Sequence, residues 1–294
     1  MTGPSFPDIL IWAIPAFVAL VALEWWWLRR RGRAYDWRDG LASMSMGLGM
    51  TASDILMGAV SYAVLFWLWQ FRLFDLGTGP LVIVAAFVLG DFKYYWSHRL
   101  AHTVRWLWMA HVVHHSSEAY NLTTALRQPW TNHVTGAVLF SAPMVLLGFH
   151  PLLVLFAGAL NLLYQFWIHT EVIGRMPRWF EAVFNTPSHH RVHHARNPRY
   201  LDRNFAGTLI VWDQLFGTYE AERDDDRPDF GTVTPVRSYN PMRIAFAELV
   251  SILQDIRGRG LNWYQRLGYA FARPGYSHDG SRKTSAQMRR EAGL

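Results

Sequence analysis

The chain has 294 residues, of which 51% are hydrophobic, 15% aromatic and 17% charged, whereas an ordinary soluble domain has about 25% charged residues. It contains no cysteine, which excludes disulfides and thiolate metal sites, so any metal must be bound by histidine, carboxylate or water. The net charge of +6, combined with the apolar content, favours an anionic membrane surface over nucleic acid as the partner.

Residues 8–28 form the first apolar segment, which is long enough to span a bilayer, since a span takes about 20 residues. Arg29, Arg30, Arg31 and Arg33 follow it. A cleaved signal peptide would carry its positive charge before the apolar run, so a retained anchor is predicted. By the positive-inside rule, the N-terminus then lies outside and the arginines lie in the cytoplasm.

Three more apolar stretches follow. Residues 41–71, with Asp54 among them, predict an interfacial piece and then a span from about Ile55. Residues 81–96 predict a third span, and residues 134–168, broken around 148–151, predict a helical hairpin. Counting these spans places every histidine cluster on the cytoplasmic side. The boundary aromatics fit an interfacial belt: Tyr94, Tyr95, Trp96, Trp106 and Trp108.

The chain becomes more polar after Glu171. Residues 222–230 predict a charged loop. Residues 241–256 and 261–272 predict amphipathic helices, which either lie on the membrane surface or pack on a cytoplasmic core. Residues 277–294 are polar and are predicted to be disordered.

Three histidine clusters occupy residues 98–102 (HRLAH), 111–115 (HVVHH) and 189–194 (HHRVHH). Helical residues three or four apart share a face, so each cluster presents several imidazoles in one direction. Thr186 and Pro187 predict the start of the third helix. Imidazole binds iron, zinc, copper and nickel, but a zinc site takes only three or four protein ligands. Eight convergent imidazoles, or nine with His169, therefore predict two metal ions, and the all-nitrogen sites indicate O₂ activation by iron.

These boxes resemble the HxxxH, HxxHH and HxxHH boxes of the fatty acid hydroxylase/sterol desaturase superfamily. Longer strings agree over about residues 85–220: DFKYYWSHRLAH, HVVHHSSEAYNLTTALR, FWIHTEV and FNTPSHHRVHHARNPRYLDRNFAGTLIVWDQLFGTYE. The chain is most similar to the bacterial sterol-desaturase-like branch, which also resembles alkylglycerol monooxygenase. The resemblance implies two irons at the cytosolic face of a helical bundle, with these ligands: His98, His102, His111, His114, His115, His169, His190, His193 and His194.

A further set of residues is assigned supporting roles. His189 points about 100° away from its neighbouring ligand on the helix, so it either supports a ligand or replaces one of the nine. Five residues are candidates to accept the second N–H of a bound imidazole, with capping or turn use as the alternative for the last four: Asp91, Glu118, Asn121, Asp202 and Asn204.

Arg127 and Arg191 are candidates to hold a lipid headgroup or carboxylate, with an ordinary surface arginine as the alternative. Three isolated histidines are interpreted as ordinary core or surface residues: His133, His150 and His278.

The sequence thus predicts an all-α, multi-span helical membrane bundle of about four to five spans. A cytoplasmic helical cap carries the histidine-rich di-metal site. The expected divisions are N-terminal transmembrane helices at 1–84, a hydroxylase-like domain at 85–220, an amphipathic tail at 221–276 and a disordered end at 277–294.

The expected activity is O₂-dependent hydroxylation or desaturation of a lipid (fatty acyl, sterol-like or ether lipid) by two iron ions in a bacterial-type inner membrane. Because no flavin or nicotinamide motif is visible, no bound flavin or NAD is expected. The resemblance implies an external electron donor: a reductase, ferredoxin or cytochrome b5-like protein, or a pterin. Two alternative functions remain. A non-catalytic membrane protein that binds or transports metal would carry its ligands at mid-membrane, and a zinc-dependent membrane hydrolase would carry a general-base glutamate, as in HExxH.

Overall fold

The computed structural model describes residues 4–294, and within them the regular secondary structure is helical, with two isolated β-bridges. This confirms the predicted all-α class. The helices are α1 (Ile9–Arg30), α2 (Trp37–Trp69), α3 (Pro80–Thr103), α4 (Arg105–His115), α5 (Ala142–Leu147), α6 (Pro151–Phe166), α7 (Arg178–Glu181), α8 (Pro187–His193), α9 (Val211–Leu215), α10 (Pro241–Ile256), α11 (Trp263–Phe271) and α12 (Ser285–Glu291). Short 3₁₀ helices cover Leu122–Leu126, Asn132–Thr135 and Ala137–Ser141.

The first two helices are the ones in the described chain that are long and apolar enough to cross a membrane. Helix α1 begins at Asp8, whose carboxylate accepts the Ile11 amide at 3.1 Å, and it ends at Arg29 and Arg30. Only 6% of its apolar segment is buried inside the protein. An apolar helix with so little protein around it fits a lipid environment better than an aqueous one.

Helix α2 is continuous, so the predicted interfacial piece with a separate span from Ile55 is wrong. Glycines in this stretch serve packing. A Cβ on Gly49 would lie 2.1 Å from the Trp130 ring, and the Trp130 indole donates to the Met46 carbonyl at 2.9 Å. Asp54 lies within this continuous helix, and its carboxylate pairs with His133 at 2.6 Å.

Helices α3 and α6 form the centre of the bundle and carry the site. Their shared core includes Ala86, Leu153 and Ala157, with Leu65 from α2 packed against them. Small residues let the two backbones approach closely. A Cβ added to Gly90 of α3 would lie 3.6 Å from the methyl group of Ala157 on α6. The predicted hairpin is realised as the 3₁₀ turns, α5 and α6, with left-handed Gly148 between the last two.

The two predicted amphipathic helices form as α10 and α11, and each buries one face against protein. Met109 of α4, Ile252 of α10 and Ala270 of α11 share one cluster. Arg105 of α4 links this helix to α10, because its guanidinium forms ion pairs with Glu248 and Asp255 at 2.6 Å each. The opposite face of α11 leaves these aromatics exposed: Trp263, Tyr264 and Phe271.

The predicted disorder of residues 277–294 is wrong, because helix α12 lies within this segment. Thr284 and Gln287 form a capping box at its start. Arg289 donates to the Arg199 carbonyl at 2.5 Å, and Arg282 forms two bonds to the Asp255 carboxylate. These contacts with distant parts of the chain supply the order that a polar composition alone does not predict.

Candidate metal centre

Three helices and one loop bring the box histidines together. His98 and His102 lie in the last part of α3, which places them one turn apart. Helix α4 carries the second box, and the third box occupies α8. As predicted, Thr186 is the N-cap residue and Pro187 the first residue of α8, although the Thr186 side chain makes no capping bond. His169 follows the end of α6.

The nine predicted ligands fall into two adjacent groups. Within each group the ligand atoms of the histidines all lie within 4.8 Å of one another. We refer to these as the five-histidine group and the four-histidine group. The first contains His98, His102, His111, His115 and His193, and the second contains His114, His169, His190 and His194.

Nitrogen atoms within each group are unusually close. The Nε2 atoms of His98 and His111 are 2.7 Å apart, and those of His111 and His115 are 3.0 Å apart. In the other group, His190 Nε2 lies 2.9 Å from His169 Nε2. Two imidazole nitrogens that sit side by side on one metal, each bound at about 2.1 Å, are separated by about 3 Å. The donor set therefore fits a metal ion in each group.

Backbone carbonyls orient several of the imidazoles. Nδ1 of His98 donates to the Phe205 carbonyl at 2.7 Å, Nδ1 of His193 to the Arg203 carbonyl at 2.9 Å, and Nδ1 of His169 to the Gln165 carbonyl at 2.7 Å. A proton held on Nδ1 leaves Nε2 with a free lone pair, which is the form that binds a metal.

Burial keeps the imidazoles neutral. Desolvation lowers the pKa of His114 to about 4, and it lowers the pKa of His190 and His194 well below the ordinary value, with the neighbouring imidazoles adding to the effect. At neutral pH these imidazoles are therefore uncharged, which is the form that can bind a metal. Two Nε2 atoms, those of His102 and His193, are buried without a hydrogen-bond partner among the described residues, which a bound metal would explain.

A cavity of about 590 Å³ reaches the five-histidine group. His102, His115 and His193 line this cavity, and so do Lys283 and Met288 of the C-terminal segment. The indole of Trp108 also faces this space, with its ring centroid 5.0 Å from that of His102 and 5.6 Å from that of His115. The cavity is large enough to admit a small polar molecule to this end of the site.

His189 belongs to neither group. Its ring is buried against Tyr219, with the ring centroids 5.5 Å apart, and neither ring nitrogen has a hydrogen-bond partner among the residues described. The His189 ring therefore lies beside Tyr219 and outside both histidine groups, in agreement with the predicted angle of about 100° between His189 and His190 on the helix.

Asp91 does not contact an imidazole, so its predicted direct support of a histidine is wrong. Its buried carboxylate accepts the amides of Thr208 and Leu209 at 2.8 and 3.0 Å and the Trp212 indole at 2.9 Å, and it also pairs with Asn161. The spacing of Asp91 and His98 places them on one helix face. The Asp91 carboxylate instead accepts hydrogen bonds from Thr208, Leu209 and Trp212, which follow α8 in the chain.

Of the four other supporting candidates, Asp202 is the one nearest an imidazole, with Oδ1 3.6 Å from His102 Nδ1. Glu118 instead pairs with Arg196 at the surface, at 3.4 Å. Asn121 caps the 3₁₀ helix at Leu122–Leu126. Asn204 donates to the backbone carbonyls of His189 and Glu220, so it acts on the backbone rather than on a ligand ring.

The two arginine candidates are buried in ion pairs with carboxylates of the chain, so the structure favours the predicted carboxylate partner over the predicted lipid headgroup. Arg127 meets Asp39 at 2.5 Å and donates to Ser43 at 3.0 Å. Arg191 meets Glu222 through two bonds and donates to the Thr170 carbonyl at 3.0 Å. Because both guanidinium groups already have charged partners, neither is free to bind an anionic ligand.

Residues that the sequence did not indicate also shape the site. Asp213 accepts the backbone amides of Phe205 and Ala206 at 2.8 and 2.7 Å. Asn161 of α6 reaches Asp91 and Thr208. The signal that could have found them is a polar residue inside an otherwise apolar stretch. The three isolated histidines have ordinary partners: His133 bonds Ser61 and Asp54, His150 caps α6, and His278 bonds Tyr269.

Comparison with known proteins gives matches over the same region. Residues 83–218 match the family model described as fatty acid hydroxylase. Human alkylglycerol monooxygenase is 40% identical over 258 residues, covering 85% of this chain and 56% of the relative. The Xenopus tropicalis alkylglycerol monooxygenase is 39% identical over 252 residues, covering 84% and 55%.

A more distant match is an ornithine lipid hydroxylase of Rhizobium tropici, which is 26% identical over 228 residues, covering 74% of this chain and 67% of the relative. The chain spans about half the length of the alkylglycerol monooxygenases that it matches. No solved structure gives a significant match.

Proposed function

Because residues 83–218 match the fatty acid hydroxylase family model and the chain is similar to alkylglycerol monooxygenases, we propose that it is a membrane-bound di-iron oxygenase that uses O₂ to hydroxylate a C–H position of a lipid. The observation that carries this proposal is the convergence of nine buried or half-buried imidazoles into two adjacent groups. One ion cannot use nine ligands, so two ions are the simplest occupant.

The five-histidine group and the four-histidine group would each hold one iron. Iron bound there would supply the O₂ activation that removes hydrogen from an unactivated C–H bond. The chain itself contributes neutral nitrogen ligands, a fixed ring orientation through the carbonyls of Phe205, Arg203 and Gln165, and a site from which bulk water is largely excluded.

Hydroxylation consumes two electrons and two protons for each O₂: R–H + O₂ + 2 e⁻ + 2 H⁺ gives R–OH + H₂O. The sequence contains no cysteine and no visible flavin or nicotinamide motif. We therefore propose an external electron donor, either a reductase, ferredoxin or cytochrome b5-like protein or a pterin. The cavity beside His102 and Trp108 is the route that we assign to polar reactants.

Oxygen insertion is favoured over desaturation, because the similar proteins named above are a monooxygenase and a hydroxylase. Those names refer to alkylglycerols and ornithine lipids, which share a long chain attached to a polar headgroup. We propose a lipid of this general build as the substrate, with alkylglycerol ethers as the first compounds to test.

The two long apolar helices support a proposal for how the chain lies in a membrane. We propose that α1 and α2 span the membrane and that the arginines at the end of α1 mark the cytoplasmic side on which the histidines lie. Two spans return the chain to the outer side, so this proposal requires α3 to cross as well, although α3 is not apolar enough to be identified as a span by composition. Trp25 and Arg29 stack at 5.7 Å and Trp27 and Arg31 at 4.7 Å, which suits a membrane–water boundary. Residues 1–84 would then be the anchor and 85–220 the hydroxylase unit.

Two rival functions are less well supported. A transporter would place its ligands along a path through the membrane, whereas these imidazoles gather at the ends of α3 and α4. A zinc hydrolase would need a general-base glutamate close to the metal, as in HExxH, and none of the three histidine boxes contains a glutamate.

The test is lipid analysis of cells with and without the gene. We expect a lipid that is heavier by one oxygen atom only when the gene is present and that disappears with His114→Ala. His278→Ala is the matched control, because His278 bonds Tyr269 away from both groups, and it should leave the product unchanged. A product that persists with His114→Ala would contradict the role of that residue, and a product lighter by two hydrogens would indicate desaturation.

A further inference from the structure

One short segment contacts three imidazoles of the five-histidine group and none of the four-histidine group. We call residues 202–206 the cradle. Its Phe205 carbonyl accepts His98 Nδ1, its Arg203 carbonyl accepts His193 Nδ1, and its Asp202 carboxylate lies 3.6 Å from His102 Nδ1. The three imidazoles come from two different helices, so the cradle fixes their positions relative to one another.

The backbone of the cradle has an unusual shape. Asp202 and Asn204 have φ angles of 57° and 54°, in the left-handed region that residues with a Cβ rarely adopt. Asn204 is fully buried, and its side chain bonds the His189 carbonyl at 3.0 Å and the Glu220 amide at 2.8 Å. Strained backbone of this kind persists only where the surroundings hold it firmly.

Two buried carboxylates supply that support. Asp213 accepts the Phe205 and Ala206 amides, and its Oδ1 also accepts the Thr218 hydroxyl at 2.6 Å. Asp91 accepts the Thr208 and Leu209 amides just beyond the cradle. Burial raises the pKa of Asp213 to about 6, and at neutral pH the carboxylate still ionises and can accept all three bonds.

The four-histidine group is held differently. His169 Nδ1 bonds the Gln165 carbonyl of the preceding helical turn, which lies in the same local stretch of chain. The buried Nδ1 of His190 has no hydrogen-bond partner in the part of the chain described. Nothing in the cradle reaches this group.

We propose that Asp213 and Asp91 are positioning residues for the five-histidine group, acting through the cradle, so that their loss weakens one metal site and spares the other. This inference rests on the proposed function only in requiring that each group binds an iron. Groups that orient metal-bound histidines typically change metal affinity by about 10- to 100-fold when they are replaced.

Asp213→Asn is the sharpest test because it keeps the size of the side chain. An amide can accept only one of the two backbone N–H groups and turns its own N–H₂ towards the other. Asp225→Asn is the matched control, since Asp225 is exposed and pairs only with Arg223 in the described structure. Asp91→Asn acts on the other end of the segment and serves as a second variant if Asp213→Asn folds poorly.

The measurement is iron per chain and the Mössbauer spectrum of the full-length protein in micelles, after exposure to graded concentrations of an iron chelator. At an intermediate chelator concentration, we expect wild type and Asp225→Asn to hold two irons per chain. At the same concentration, Asp213→Asn and Asp91→Asn should hold about one, and their spectra should lack one of the two iron signals. Selective loss should appear at a chelator concentration at least about 10-fold lower than wild type requires.

Two results would overturn the inference: retention of both irons with an unchanged spectrum, or loss of both irons in parallel, which is the behaviour of a merely structural residue. Wild type that holds no pair of irons would overturn the proposed function together with this inference. Wild type with two irons and unaltered variants would overturn this inference alone.

Discussion

The Nε2 atoms of His98 and His111 lie 2.7 Å apart, although the two residues belong to different helices. Helix α3 ends at Thr103 and α4 begins at Arg105, so Val104 alone makes the corner that turns one histidine box towards the other. The extended conformation of Val104, with φ −119° and ψ 115°, produces this turn. Helical spacing aligns histidines within a box, and the corner aligns the boxes.

His169 should be a metal ligand even though it lies outside the three boxes. Its Nε2 is 2.9 Å from His190 Nε2 and 3.1 Å from His114 Nε2. His169→Ala should therefore lower iron content and reduce lipid hydroxylation by about 100-fold or more, because the four-histidine group retains only three ligands. His133→Ala, whose histidine bonds Ser61 and Asp54, should keep its iron. Full iron content in His169→Ala would remove this residue from the site.

Arg127 should act in stability rather than in lipid recognition. Arg127→Ala leaves the buried Asp39 carboxylate without its charged partner, which should cost about 3–5 kcal/mol of unfolding free energy. Thermal unfolding in micelles measures this. The control is Arg175→Ala, because Arg175 forms an exposed pair with Asp224 worth less than about 1 kcal/mol. An Arg127→Ala protein of normal stability but reduced lipid affinity would restore the headgroup interpretation.

Gly49 should be intolerant of any side chain. A Cβ there would lie 2.1 Å from the Trp130 ring, so Gly49→Ala forces α2 and the 3₁₀ region apart and should cost about 1–3 kcal/mol. Gly158→Ala is the matched helical control, because no atom lies within 4 Å of the Cβ it would add. The comparison of unfolding midpoints decides the matter, and equal midpoints would mean that α2 does not pack on Trp130 as described.

Metal removal should destabilise the protein selectively. When iron is chelated, the closely spaced neutral nitrogens of both histidine groups lose their bound ions. The unfolding temperature should therefore fall, and it should recover when iron is restored. Zinc should recover stability without recovering O₂ consumption, because zinc has no redox chemistry. If the unfolding temperature does not change when chelator is added, no metal that stabilises the fold is bound.

The sequence was sufficient to predict the helical class and the grouping of the histidines, because both follow from local spacing. His111, His114 and His115 share a face wherever residues 105–115 form a helix. The position of His169 came from resemblance and could not have come from spacing, since it reaches the site from the end of α6.

Partners that are distant in sequence account for the failures. Arg127 and Arg191 are candidates for a lipid headgroup or a carboxylate, and local sequence does not identify their partners, because Asp39 and Glu222 are 88 and 31 residues away. The same holds for Asp91, whose partners lie between 70 and 121 residues further along the chain. The packing role of Gly49 also depends on a distant residue, because the ring that excludes a side chain there belongs to Trp130.

The iron content of purified wild-type protein tests the central claim most directly. If the two histidine groups each bind an ion, elemental analysis of the full-length chain in micelles should give close to two irons per polypeptide, and His98→Ala and His190→Ala should each reduce that number. A single zinc per chain, or full metal content in both variants, would contradict the account.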